Sequence, residues 1–296
     1  MNTDSMFCMR HSFITALIIF SFAIPPHLLQ AAETLEQKAK TALQQAHISK
    51  IDWQGKSVWI KGVEPYKKTP WHCYKKKLGQ WFAPKPLFTP TVACGNQMIA
   101  LEKERLALFE HHGVRVPMLI GSAEDWLALE DLGESLELRL SQVTPEKRMA
   151  LLFQALDTLI DLHHKGLAHG RAMVKDMVVL QDGNIGFIDL AEDPQRYMTL
   201  NQAQARDFLL FLFSSIPFIK HDPAAQQKLI AHYMKHTFPS VKQEIQETFI
   251  FLKVPYTLTY YFYHFLKVDG QRAFDAYTAL EEYYAKMKGN LKREGS

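Results

Sequence analysis

The chain has 296 residues, 47% of them hydrophobic and 22% charged, with 34 basic against 31 acidic side chains and a net charge of +3. These proportions fit one large or two modest globular domains and exclude a disordered tail, a collagen-like rod and a disulfide-stapled miniprotein. Cys8, Cys73 and Cys94 form no Cys-x-x-Cys pair and have no histidine at zinc spacing, so they read as free thiols.

Residues 13–24 (FITALIIFSFAI) form an apolar run after Arg10 and His11 and before Pro25 and Pro26. The pattern predicts a signal peptide or short membrane anchor over residues 1–33, or else a hydrophobic leader from a misassigned start. As a span it reaches about 20 residues only if stretched from Phe13 to Ala32 across the proline pair. Cleavage near Ala31 or Ala32 would export the rest of the chain, whereas an uncleaved anchor would keep it at the membrane.

From Thr34 to His47 the chain is polar and helix-prone, and IDWQGKSVWIKG then reads as strand, turn and strand, ending in Val58-Trp59-Ile60-Lys61. Between Lys50 and Lys85 nine lysines face two acids, Asp52 and Glu64, which makes residues 62–96 a lysine-rich insert. Lys67, Lys68, Lys75, Lys76 and Lys77 could engage anionic lipid or glycan phosphates, at about 1 kcal/mol per basic residue near a charged membrane. The alternative is a solvated, irregular insert, which Pro65, Pro70, Pro84, Pro86 and Pro90 favour. The small net charge gives no reason to expect a nucleic-acid partner.

A helix is predicted from Gln97 to His112, with Ile99, Glu102, Leu106 and Phe109 on one inward face. Gly113 stops it, and VRVPMLI and WLALEDLG read as strands. Thr144-Pro145-Glu146 opens a second helix that runs through Leu152, Leu156, Leu159 and His163 to Gly166. His111, His112, His163 and His164 read as helix-end and surface residues. Adjacent positions on a helix point about 100° apart, which argues against a shared metal.

The stretch HGRAMVKD leads into two apolar strands, MVVL and IGFI, joined through Gln-Asp-Gly-Asn. If the hairpin turns on Asp182 and Gly183, then Asp176 and Asp189 face each other, about 5 Å apart. Two carboxylates so placed call for a raised pKa or a cation, of which Mg²⁺ is the simplest; otherwise they are solvated acids flanking a hairpin. Beyond Leu200 the chain reads as helical throughout, with PYTLTYYFYHFL (255–266) as a core helix. Strands first and helices afterwards predict an α+β fold, with a small β-rich lobe over residues 34–133 and a larger helical lobe over 134–296.

Lys61 at a strand end, Glu102 inside a helix, His169-Gly170-Arg171 in a loop, Asp176 and then Ile188-Asp189-Leu190-Ala191 occur in an order that resembles the protein-kinase-like fold. In detail, residues 50–215 resemble the bacterial lipopolysaccharide (Kdo/heptose) kinase-like branch, in an atypical subgroup with His-Gly-Arg in the loop. The resemblance implies a small antiparallel-sheet N-lobe and a mainly helical C-lobe binding ATP and Mg²⁺. Lys61 would hold the α and β phosphates and Glu102 would pair with it, while Glu130 and Asp131 would lie where a hinge meets adenine. His169 matches the catalytic-loop histidine, Asp176 stands where a metal-binding Asn is usual, and Asp189 matches the metal-binding Asp. Asp207 matches a helix acid that steadies the loop. The reaction implied is transfer of the γ-phosphoryl group to a hydroxyl of a lipopolysaccharide-type sugar or lipid-linked glycan, with the domain on the cytoplasmic face of the membrane.

Two departures stand out. Arg171 occupies the position of the general-base aspartate, and a guanidinium stays protonated, so it can only stabilise phosphate charge. Asp176 could then act as base, with or instead of holding metal. No G-x-G-x-x-G loop precedes Lys61, where only Gly55 is available. Both departures keep open a second function, that of a pseudokinase holding a nucleotide or a partner at the membrane.

Overall fold

Gln54 and Gly55 both have positive φ, 52° and 73°, the pair of conformations that a two-residue hairpin turn demands. The turn joins β1 (Ile48–Trp53) to β2 (Lys56–Gly62) and sets Trp53 opposite Lys56. β4 (Trp126–Glu130) adds to β2, and β3 (Leu119–Ser122) adds to β4, giving an antiparallel sheet in the order β1-β2-β4-β3. This computed structural model describes residues 34–63, 84–87, 95–260, 263 and 266–294. The leader, the three cysteines and Lys67, Lys68, Lys75, Lys76 and Lys77 lie outside the described residues. The described residues from Leu35 onward belong to one compact unit.

Strand alternation gives the sheet two different faces. Val58, Ile60, Trp126 and Ala128 pack on one side with Leu35, Ala39 and Leu43 of α1 (Leu35–Gln45). That helix lies so close that a Cβ on Gly62 would sit 2.7 Å from Leu43 Cδ2. The other face carries Lys61 and Trp59, beside Leu127 and Leu129, which belong to the main core. α2 (Asn96–His111) packs against the sheet and buries Ile99, Glu102, Leu106 and Phe109, as its periodicity predicts.

The rest of the chain is largely helical, and local chemistry marks where its helices begin. Ser135 caps α3 (Leu136–Gln142), Thr144 caps α4 (Pro145–His164) and Asp222 caps α6 (Pro223–His236). Thr199 and Gln202 bond reciprocally at the start of α5 (Leu200–Ile219). α7 (Pro239–Tyr260) and α8 (Val268–Glu294) complete the described helices. Leu152, Leu156 and Leu159 of α4 meet Phe208, Phe211 and Leu212 of α5 and Leu229 and Tyr233 of α6, all fully buried. A short sheet of β5 (Glu134–Ser135), β6 (Met177–Val179) and β7 (Ile185–Phe187) lies against this helical core. The fold is therefore α+β, with its larger antiparallel sheet in the N-terminal part and helices dominating the C-terminal part.

Three expectations need correction. The β6–β7 hairpin is registered one residue away from the predicted pairing, with Met177 opposite Phe187. Its loop holds three residues, Gln181, Asp182 and Gly183, because Gly183 takes a left-handed φ of 84° after the turn and Leu180 pairs with Asn184. Asp176 therefore pairs with Ile188, whose amide donates to its carbonyl at 2.9 Å, and Asp189 lies beyond the ladder. His163 is buried in the core, not on the surface. The described part of the 255–266 segment lies at the periphery: Pro255 and Thr257 are exposed and Tyr256 is half-buried against Phe274 and Tyr277.

Leu152→Ala should cost about 2–5 kcal/mol in urea unfolding, because the helix packing leaves its cavity little room to collapse. A loss under about 1 kcal/mol would remove α4 from the core.

Candidate functional site

Lys61 follows buried Ile60 on β2, so alternation turns its side chain away from α1 and toward α2. Its Nζ donates to Glu102 Oε1 at 2.9 Å and to Asp189 Oδ1 at 2.6 Å. Glu102 is nearly inaccessible, one turn of α2 before Leu106. Burial works against the charge on Lys61, but Glu102 and Asp189 outweigh it and hold the pKa above its ordinary value. Burial likewise raises the pKa of Glu102, with Lys61 opposing. For Asp189 the balance runs the other way: burial is overcome by Lys61 and Arg171, and the carboxyl is held well below its usual range.

The loop before β6 is fixed through its backbone. Gly170 has a φ of 94°, and a Cβ there would lie 2.8 Å from Pro194 Cδ and 3.0 Å from the Glu192 carbonyl oxygen. Fully buried Asp207 on α5 accepts from the amides of His169 at 2.6 Å and Gly170 at 2.7 Å. Arg105 donates to the carbonyls of Ala168 and His169 at 2.8 and 3.0 Å, and Arg206 donates to that of Gly170 at 2.7 Å. Beneath them, His163 donates from Nε2 toward Asp207 at 3.4 Å, and its Nδ1 lies 3.0 Å from the Tyr233 hydroxyl.

His169 points into this support and not into the charge cluster. Its Nε2 is 3.0 Å from the Ile188 carbonyl, which only accepts, so that nitrogen carries the proton; Nδ1 accepts from the Arg171 amide at 3.3 Å. Burial lowers its pKa to about 4, which keeps the ring neutral. Its ring ties the backbone of residue 171 to that of residue 188.

Arg171 reaches into the cluster. Its Nε and Nη2 donate to Asp176 at 3.1 and 3.4 Å, Nη2 also donates to Asp189, and Nη1 lies 3.6 Å from Glu192. Asp189 adopts a left-handed φ of 62°, which Asp tolerates better than most residues. The departure from strand geometry lets a residue beyond the ladder meet both Lys61 and Arg171. Burial raises the pKa of Asp176 to about 6 despite Arg171.

The site therefore brings together Lys61, Glu102, Arg171, Asp176 and Asp189, with His169 and Asp207 behind them. Glu130 stays apart, accepting from Arg115 at 2.8 Å and from the Met118 amide at 3.1 Å. Asp131 accepts from the Trp59 indole at 3.0 Å and pairs with Lys50 at 2.5 Å. Sequence reasoning missed Glu192, Arg206, Trp59 and the His163–Tyr233 pair. His163 had a signal, since it continues the apolar row of Leu152, Leu156 and Leu159 along α4.

Among the described residues no group of three or more His, Cys, Asp or Glu side chains is placed to hold a metal ion. Magnesium needs fewer: it is held by one or two carboxylates, with waters and substrate phosphates completing its shell. Asp176 and Asp189 would supply that donor set, since oxygens of both converge on one cationic group, the Arg171 guanidinium.

The pKa of Asp176 sets a pH window. Between about 4 and 6 the unfolded chain, with an ordinary value of 3.8, releases this proton while the folded chain retains it, so stability falls as pH rises. For Asp189 the sign is opposite, and its stabilisation is lost only as pH falls below the same ordinary value. Wild type should lose up to about 3 kcal/mol relative to Asp176→Asn between about pH 4 and 6, read from denaturant unfolding at each pH. The Glu102 contribution is common to both proteins and cancels. Parallel curves would show that Asp176 ionises normally.

No family model matches the chain. It is similar to an uncharacterised protein of Haemophilus influenzae, 24% identical over 188 residues that make up 63% of this chain and 69% of that protein. Among solved structures it is similar to Rv3197 of Mycobacterium tuberculosis in complex with erythromycin, at 16% identity and a TM-score of 0.37. That match covers 63% of this chain and 57% of the solved one. Among the described residues no helix is long and apolar enough to cross a membrane.

Proposed function

We propose that the chain is an ATP- and Mg²⁺-dependent phosphotransferase of the protein-kinase-like type, passing a γ-phosphoryl group to a hydroxyl of a lipopolysaccharide-type sugar or lipid-linked glycan. The observation that carries this reading is the meeting of Lys61 with Glu102, 41 residues away, and with Asp189, 128 residues away. Phosphoryl transfer asks a protein mainly for positioning and charge stabilisation, and this cluster supplies both.

In this reading Lys61, oriented by Glu102, presents its ammonium to phosphate oxygens. Arg171 adds a guanidinium suited to two-point contact with a phosphate. Asp176 is the group that takes the proton of the attacking hydroxyl, because the Arg171 guanidinium beside it stays protonated and cannot. Asp176 and Asp189 would hold Mg²⁺, which when bound neutralises phosphate charge. The supply of ATP favours the cytoplasmic face of a membrane, with the apolar leader as an uncleaved anchor and the lysine-rich insert toward anionic headgroups. A cleaved signal peptide would favour an exported protein instead.

The second reading is a pseudokinase that binds a nucleotide or partner as a scaffold. One observation favours it: Arg171 neutralises Asp176 and Asp189 together and stands where a base is expected.

A thermal-shift series on wild type and Asp189→Ala, with ATP alone and with ATP plus Mg²⁺, tests both readings alongside an assay for ADP release with a Kdo-containing acceptor. Nucleotide at about a hundredfold its Kd should stabilise wild type by about 2.7 kcal/mol, and the substitution should abolish the Mg²⁺-dependent increment. Stabilisation without ADP release would select the scaffold. No stabilisation would eliminate nucleotide binding in either form.

A further inference from the structure

Where α5 ends, the first turn of α6, Tyr263 and the stretch of α8 from Phe274 to Glu282 enclose a cavity of about 530 Å³. That volume is usual for a small-molecule site. Asp207, beneath the loop of the charge cluster, and Lys220, at the mouth of this cavity, are separated by about 20 Å of helix rise. Gln226 is nine-tenths buried, and its Nε2 donates to the carbonyls of Ile219 at 3.0 Å and Lys220 at 3.2 Å, groups that the end of α5 leaves without helical partners. Both amide protons are spent there, so Oε1 is turned to the cavity, where it accepts no hydrogen bond from the described residues. An acceptor fixed through its own nitrogen needs no reordering when a ligand arrives. Asp275 is already compensated, since Lys220 Nζ lies 3.1 Å from its Oδ2 and the Tyr263 hydroxyl donates to Oδ1 at 3.1 Å. Lys220 also donates to the Tyr263 oxygen at 2.9 Å, which leaves one of its three protons. Glu282 is exposed and accepts from Gln227 Nε2 at 3.4 Å through Oε2. Thr278 spends its proton on the Phe274 carbonyl at 3.0 Å, so toward a ligand its hydroxyl can only accept.

This lining selects by charge and by the sense of its hydrogen bonds. Acceptors outnumber donors, so a ligand must donate. Two carboxylates disfavour an anion, and the ammonium of Lys220 beside Asp275 disfavours a cation. Pro223 and Phe274 add apolar wall between the polar groups. A neutral ring bearing several hydroxyls and C–H edges meets all of these conditions. We propose that the cavity is a binding site for a neutral saccharide, free or at the end of a glycan, whose hydroxyls donate to Gln226 Oε1, Glu282 and Thr278 and accept from Lys220. The site is distinct from the charge cluster and holds whether or not the chain is a phosphotransferase.

The experiment reads binding to the full chain by calorimetry and saturation-transfer NMR, with glucose, galactose, mannose, maltose and lactose as neutral probes and glucosamine, spermidine and glucose 6-phosphate as charged ones. At least one neutral sugar should bind, and more tightly than any charged probe. Gln226→Leu and Glu282→Ala should each weaken it about tenfold, the loss of one hydrogen bond to a placed acceptor. Glu282 is exposed, so its variant guards against a folding defect in Gln226→Leu. Methyl glycosides that bind as tightly as the free sugars would assign the site to the end of a glycan, and weaker glycosides to a free sugar; both results uphold it. Tightest binding of glucosamine or spermidine would make the cavity a cation site, tightest binding of glucose 6-phosphate an anion site, and either would overturn the proposal. Absence of binding by every neutral probe would overturn it as well. So would neutral-sugar binding that neither substitution changes, because the sugar would then sit elsewhere.

Discussion

The Asp189 carboxylate is shared by two cations, Lys61 from the sheet and Arg171 from the loop, and the placement of four separate elements depends on that sharing. Desolvating a charged side chain costs several kcal/mol, and an opposite charge repays the cost only at close range and in good geometry. Lys61 is tolerable there because Glu102 and Asp189 both reach it, and Arg171 because Asp176, Asp189 and Glu192 do. β2, α2, the end of β7 and the loop at residue 171 are consequently tied to one another by electrostatics as well as by the apolar core. Asp189 is the one acid that meets both cations, so removing it takes a partner from Lys61 and Arg171 together.

The cluster stands on a loop whose backbone groups have almost no access to water. A buried segment outside regular structure must find partners for its amides and carbonyls elsewhere. Asp207 takes two amides, Arg105 takes two carbonyls and Arg206 takes a third, so residues 168–170 are held from both sides. His163 and Tyr233 extend that support into the helical core, where Tyr233 stacks on Phe208 at 3.9 Å. Burial holds His169 neutral, which suits a ring whose two nitrogens are both spent on backbone groups. The side chain of Arg171 is thereby aimed by a backbone with little freedom to move.

Elements whose burial follows a simple period were legible in the sequence. Glu102 lies inside because Ile99, Leu106 and Phe109 share its face, and Lys61 leaves the α1 side because Ile60 stays on it. The hairpin register was not legible, since Asp182-Gly183 suits both a two-residue and a three-residue loop. The left-handed φ falls on Gly183 and not on Asp182, and with the Leu180–Asn184 pairing that selects the three-residue loop. The predicted face-to-face pair of aspartates is thus replaced by a pair brought together through Arg171. The role of that arginine was hidden for a related reason. Its partners lie 5, 18 and 21 residues further on, and their convergence depends on the hairpin and on the loop that follows it. His163 followed the apolar period of α4, but its polar ring was read as a surface group; the buried partners that satisfy it, Asp207 and Tyr233, come from helices much later in the chain.

A guanidinium at position 171, within reach of three carboxylates, decides how the cluster would respond to an anionic ligand. As folded, Lys61 and Arg171 stand against Glu102, Asp176 and Asp189, and two of the three acids are pulled by burial toward the protonated form. The cluster is therefore near charge balance before any ligand arrives. In the proposed reading a polyphosphate competes with these carboxylates for the same two cations. To the extent that Arg171 turns toward phosphate, Asp176 and Asp189 lose their counter-charge together and must take up either a proton or a divalent cation. Phosphate binding, proton affinity at Asp176 and affinity for a cation are then linked through one side chain, and that linkage follows from buried charge balance whether the outcome is turnover or binding alone.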